Sequence, residues 1–170
     1  LSKGHAAPAL YAVLAEYGYF SSELLENFRH FKSSLQGHPH KLLLPGIEIS
    51  TGSLGMGLSA GIGMALSAKL DNLNYKTYVI LGDGECQEGC VWEAAMAAVQ
   101  FNLDNLIVIV DRNGLQLDDN TEKIMSIEPF AAKWDAFGWV VIEIDGTSIR
   151  EIRMALNTAK DLLGKPVVII

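Results

Sequence analysis

Residues 105–111 read NLIVIVD, an uninterrupted apolar run that closes on an acid. A strand without polar alternation has to be covered on both faces, which is the habit of a parallel sheet wrapped by helices. Residues 76–81, KTYVIL, are a second short, β-branched strand candidate, and the intervening EGCVWEAAMAAVQFN has the spacing of a helix. Together they predict one βαβ unit, right-handed by default. A helix over 127–137, a strand WVVIEID, a helix over 149–163 and a strand PVVII continue the alternation. The predicted fold class is therefore α/β: a doubly wound, mostly parallel sheet with helices on both faces.

The first half of the chain is less regular. Leu10, Val13 and Leu14 predict a helix over 9–17. A second helix is expected after Ser21 or Ser22 as cap, with Glu23 in its first turn and Leu24, Leu25, Phe28 and Phe31 as a buried stripe. Residues 36–57, QGHPHKLLLPGIEISTGSLGMG, hold too much Gly and Pro for either regular element, and a loop this long in a compact domain is usually functional. The next segment, LSAGIGMALSAKL, reads as a helix whose small residues let another backbone or a ligand approach closely.

Composition excludes some partners. Of the 170 residues, 49% are apolar, yet no run approaches the roughly 18 that a membrane span needs. The formal charge is −7 and the basic residues are scattered, which excludes a nucleic-acid partner. Cys86 and Cys90 are four apart, would share a face on one helix, and lack a second Cys or His pair for zinc. They read as reduced thiols of a cytoplasmic protein. LSKGHAAPAL at one end shows no signal pattern and GKPVVII at the other stops within a strand, so the expectation is one domain, 1–170, cut at both ends.

The chemistry concentrates where YVILGDGECQEG puts Asp83 between two glycines at a strand end, and DRNG puts Asn113 at the end of the next strand. Ligands of such sheets bind beyond the carboxyl ends of the strands. The two residues are thirty apart, one β-to-α-to-β traverse, so they can meet in space. A carboxylate and a carboxamide oxygen are hard donors that suit Mg²⁺ or Ca²⁺, and a half-built shell implies a diphosphate that completes it. Gly84, without a Cβ, would let a phosphate oxygen approach its N–H. The plainer alternative is two unrelated turns, since Asp-Gly and Asn-Gly are common turn pairs. GSLGMG has glycines at dinucleotide-like spacing, but no strand precedes it, which argues against a Rossmann dehydrogenase.

GDG with its downstream Asn113 resembles the thiamine-diphosphate motif of the transketolase family. SKGHA (2–6), GHP (37–39) and PGIEISTGSLGMGLSAGIGMA (45–65) resemble transketolase segments in the same order, and the wording is most similar to the N-terminal subunit of split bacterial and archaeal enzymes. The resemblance implies that Asp83, Asn113 and the Leu115 carbonyl bind the metal, that Gly84 contacts the diphosphate, and that Gly52 and Leu54 touch the cofactor rings. It implies catalytic-site roles for His5 and His38, and for Glu88 a link across a subunit interface to a partner's catalytic glutamate. His30 and His40 carry no such match and read as structural. Where transketolases often have Gly-His after the strand VVIEID, this chain has Gly146, Thr147 and Ser148.

The activity so implied is transfer of a two-carbon ketol unit from a ketose phosphate to an aldose phosphate, with thiamine diphosphate and Mg²⁺ (or Ca²⁺). The 170 residues read as one α/β domain, so the expectation is that the aminopyrimidine ring is held by a different domain or chain. The partner that the resemblance implies is therefore a pyrimidine-binding domain or C-terminal transketolase subunit, in a homo-oligomer or heterotetramer. Rival expectations are another thiamine-diphosphate enzyme, such as a 1-deoxyxylulose-5-phosphate synthase or a specialised sugar transketolase, and a noncatalytic fragment or binding module.

Overall fold

The structure, a computed structural model, describes residues 1–117 and 119–170. Its centre is a four-stranded sheet built from β1 (Thr77–Gly82), β2 (Leu106–Asp111), β5 (Val140–Ile142) and β6 (Val167–Ile169), in spatial order β1-β2-β6-β5 and parallel throughout. Register pairs Gly82 with Asp111 and Ile169 with Ile142, so the carboxyl ends of all four strands leave along one edge.

Both faces of the inner strands are covered, whereas edge strand β1 leaves Tyr78 and Ile80 exposed on one face. On one side of the sheet, Val79, Leu81, Leu106, Val108 and Val168 pack under α2 (Met56–Leu70), α3 (Gly89–Gln100) and α5 (Phe130–Ala136). On the other, Ile107, Val167 and Ile169 meet Ala155 and Ala159 of α6 (Ile149–Asp161). The alternation of side chains along each strand sends neighbours to opposite faces, and the continuous apolar run of β2 is the consequence. Part of this core is aromatic, with Trp134 and Trp139 buried and Trp92 stacked on Phe137 at 5.6 Å. Among the described residues, no helix is long and apolar enough to cross a membrane.

Two of the small residues of α2, Gly57 and Gly61, serve close contact with protein, while Gly63 faces open space. A Cβ on Gly61 would strike Val79 of β1, and one on Gly57 would strike Ser2. The first segment of the chain is thereby seated against both α2 and β1, where the Ser2 and Lys3 amides donate to the Ile80 carbonyl.

The N-terminal region departs from expectation in one element. α1 (Ala7–Glu16) forms and buries Ala7, Tyr11 and Leu14 against Leu35, Leu44 and Ile47. The second helix does not form. Ser21 does cap, accepting the Glu23 amide at 3.3 Å, but the capped segment, Ser22–Asn27, is 3-10, and Phe31 is 92% exposed instead of buried. Leu24, Leu25 and Phe28 reach the α1 cluster and Phe31 does not, so a short helix gains no burial by continuing to it. α5 is shorter than predicted because Pro129 occupies its N-cap position. A two-residue-per-strand hairpin, β3 (Leu115–Gln116) with β4 (Asp119–Asn120), and the short α4 (Thr121–Ile124) come after β2 without having been predicted.

Candidate cofactor-binding site

Asp83 follows the last residue of β1, and its amide donates to the Asp111 carbonyl at 3.2 Å, extending the pairing with β2 by one residue. Its side chain is 2% exposed. One oxygen accepts the Gly84 amide at 2.7 Å, and the other accepts the Gly114 amide, also at 2.7 Å, in the turn after β2. In that turn Asn113 Oδ1 accepts the Leu115 amide at 2.9 Å, its Nδ2 donates to Asp111 Oδ2 at 3.4 Å, and Gly114 takes the positive φ of 75° that closes it. The fold therefore brings Asp83, Asn113 and the Leu115 backbone to one place.

Among the described residues no Lys or Arg pairs with Asp83. A buried carboxylate held only by backbone amides has lone pairs to spare and a charge left without a counter-charge, which favours a cation beside it. The turn bonded to Asp83 also carries the Asn113 carboxamide oxygen and the Leu115 carbonyl, so the donor types in this region are hard. Among the described residues no cluster of three His, Cys, Asp or Glu could hold a metal by itself, so a cation here would need oxygens from a ligand.

Gly84 is fixed by contact on one side and by a hydrogen bond on the other. A Cβ there would lie 2.7 Å from Cβ of Gln116, and the amide expected to meet phosphate is engaged by Asp83. Gln116 in turn pairs its carboxamide reciprocally with that of Gln87, clasping the hairpin to the GDG loop. A 3-10 turn, Gly84–Gln87, separates Gly84 from α3, so Cys86 and Cys90 lie on different elements and do not share one helix face. Both are free; burial pushes the Cys86 thiol well above its ordinary pKa, and the nearby Glu85 and Asp83 carboxylates push it further.

His5 and His38 line one cleft of about 480 Å³ together with Phe28, Arg29 and Gln36, and both rings are exposed. Gly52 holds this half together. It lies at a φ of 149°, a Cβ on it would sit 3.3 Å from the His38 ring, and a Cβ on Gly4 would lie 2.9 Å from its amide. Leu54 is partly buried beside Gly55, whose φ of 81° opens α2. The Glu88 stem packs on Gly55 while its residue remains exposed as N-cap of α3, making no side-chain cap bond. His40 accepts the Leu42 amide in a local turn and His30 is exposed. A second cleft, of about 640 Å³, opens beyond β2, β5 and β6 between Asn113, Arg112, Asp145 and Thr147; there Thr147 donates to Asp145 from its amide and its hydroxyl.

Three groups escaped the sequence reading. Glu85 is 2% exposed and Lys3 7% exposed, with Lys3 paired to Asp111 at 2.6 Å. Charged residues in a GDGE or SKGH string look like solvated ones until the fold buries them. The Gln87–Gln116 pair joins residues 29 apart and leaves no local pattern.

Over residues 1–170 the chain matches the family described as transketolase, thiamine diphosphate binding domain. It is 50% identical over 152 residues to an apulose-4-phosphate transketolase subunit of Phocaeicola vulgatus, covering 89% of this chain and 54% of that protein. It is 48% identical over 170 residues to the 6-deoxy-6-sulfo-D-fructose transketolase subunit of a Clostridium species, covering all of this chain and 62% of that one. Among solved structures, transketolase from Campylobacter jejuni superposes with a TM-score of 0.93 at 37% identity, over 99% of this chain and 28% of its own. The chain thus spans a little over half the length of these subunit relatives and about a quarter of that transketolase. Sequence and overall fold agree: this chain belongs to the transketolase family, in its thiamine diphosphate-binding domain.

Proposed function

We propose that this chain is the diphosphate-binding half of a cytoplasmic transketolase, a transferase that moves a two-carbon ketol unit from a ketose phosphate to an aldose phosphate. The observation that carries the reading is the Asp83 carboxylate, buried without a cationic partner among the described residues and bonded across the sheet edge to the turn holding Asn113. Asp83, Asn113 and the Leu115 carbonyl would hold Mg²⁺ (or Ca²⁺), and Gly84 would border the diphosphate. Bound thiamine diphosphate supplies a carbanion equivalent and an electron sink for breaking and making the carbon–carbon bond.

The chain's own residues bind and orient. His5, in the 3-10 turn Gly4–Ala6, and His38, on a loop of the same cleft, would hydrogen-bond the sugar hydroxyls near the reacting carbon and hold or move protons there. Gly52 and Leu54 would lie against the cofactor rings. Glu88, exposed at the start of α3, would face the pyrimidine-binding domain or C-terminal subunit that completes the enzyme, in an assembly with two-fold symmetry. Two free cysteines accord with the cytoplasmic location.

The names of the subunit relatives favour a more specific version of the same chemistry, a transketolase for an unusual sugar such as apulose 4-phosphate or 6-deoxy-6-sulfo-D-fructose. The test is ketol transfer by the full gene product, with and without a pyrimidine-domain subunit, across those ketoses, an ordinary ketose phosphate and pyruvate. Transfer from a ketose only in the presence of the partner is the expected result. Decarboxylation of pyruvate in place of ketol transfer would point to a 1-deoxyxylulose-5-phosphate synthase, and turnover without any pyrimidine domain would overturn the split assembly.

A further inference from the structure

Glu85 stands two residues past Asp83, at the start of the 3-10 turn, and is 2% exposed. Its carboxylate is reached from three separate segments. The Ser2 hydroxyl and the Gly55 amide, the latter at 2.8 Å, donate to Oε1, and the Gly82 amide donates to Oε2 at 3.0 Å. No Lys or Arg pairs with it among the described residues, so this anion is held by neutral donors alone.

The segments it joins are SKGH with His5, TGSLG with Gly52 and Leu54, and GDG with Asp83 and Gly84. They lie 83, 30 and 3 residues away along the chain at their points of contact. Close packing reinforces the same arrangement: a Cβ on Gly57 would collide with Ser2, and one on Gly55 would come within 2.8 Å of Glu88.

We propose that Glu85 is a positioning residue that sets the three cofactor-facing loops in register through one carboxylate, without touching the cofactor or substrate. This rests on the reading of those loops as the thiamine diphosphate site. A carboxylate is required by the donor pattern. All three partners donate, and a carboxamide in the same place would turn its NH₂ against one of the amides. Loss of a buried charge-assisted bond to a backbone amide leaves that amide unsatisfied, so the loop it anchored has to move or hydrate.

The test uses the full gene product with its partner subunit, as wild type and as Glu85→Gln and Ser2→Ala. Three readouts are taken at a temperature where far-UV circular dichroism shows each protein folded: amide hydrogen exchange without cofactor, thiamine diphosphate affinity with Mg²⁺, and recovery by Glu85→Asp. In Glu85→Gln, exchange should rise together in the segments around residues 2–5, 52–57 and 82–85 and not in β2 or α6, and affinity should fall about tenfold or more. Ser2→Ala, which removes one donor, should loosen the first segment and weaken affinity by a smaller factor. Glu85→Asp, one methylene short, should restore less than half of the lost protection.

If Glu85→Gln does not fold, the exchange and affinity of Ser2→Ala decide alone. Exchange confined to residues 82–85, or wild-type affinity in a folded variant, would overturn the proposal. If the wild type binds no thiamine diphosphate, the functional reading fails, and the exchange pattern still decides whether Glu85 couples the three loops.

Discussion

Asp83 and Asn113 have all their side-chain polar atoms bonded to the backbone or to a neighbouring side chain, whereas His5, His38 and Glu88 make no side-chain hydrogen bond among the described residues. The first pair lies where β1 and β2 end in register, so the same sheet that forms the core fixes their separation. The second group sits on loops placed by glycine contacts, with rings and carboxylate open to solvent. Rigid preorganisation suits a ligand that occupies one position, and open side chains suit groups that arrive and leave. Under the proposed function, cofactor affinity would rest mainly on the sheet edge, and turnover and assembly on the loops.

Substitution at the rigid half should have the largest effect. Asp83→Ala is expected to abolish metal-dependent binding of thiamine diphosphate while far-UV circular dichroism stays native, because it removes the one charged ligand of the proposed set. Calorimetry with Mg²⁺ and cofactor reads this directly, and wild-type affinity in the variant would break the division between the halves. His38→Ala should lower turnover on the order of 10²–10⁴-fold with little change in cofactor affinity. If steady-state rates hold while affinity drops, the ring belongs with the rigid half.

Glu88→Gln should act on assembly. A single exposed charge contributes about 0.2–1 kcal/mol, so association with the partner subunit should weaken a few-fold by light scattering, with cofactor affinity in the assembled enzyme unchanged. The smallest effect on the site should come from Asn105→Ala, at the opposite edge of the sheet. Its Nδ2 donates to the Ala65 carbonyl at 2.8 Å, so stability measured by urea denaturation should fall by about 1–2 kcal/mol while cofactor binding is untouched. A matching loss of affinity would mean that the sheet edge yields to strain from far away and is not rigid.

The sequence made the sheet and its edge legible for a physical reason: a strand covered on both faces must be apolar throughout, and a ligand at a strand end needs its donors one traverse apart. NLIVIVD and the Asp83–Asn113 spacing carry those two constraints. The N-terminal region was harder because the helical stripe ending at Phe31 satisfies helix periodicity while only Leu24, Leu25 and Phe28 have anything to pack on. Periodicity reports what a helix would bury, and the opposing surface decides whether it forms. Hairpin β3–β4 is two residues per strand, too short for alternation to register. Glu85 was illegible because an acidic side chain two residues past Asp83 looks like another solvated charge, and only the three chain segments folded over it reveal otherwise.

The central claim is that Asp83 and the Asn113 turn form half of a metal shell that a diphosphate completes. Titration of thiamine diphosphate into the assembled wild-type enzyme, once with Mg²⁺ and once with EDTA, tests it most directly. The account predicts saturable one-site binding with Mg²⁺ and none measurable at the same concentrations with EDTA; equal affinity under both conditions would contradict it.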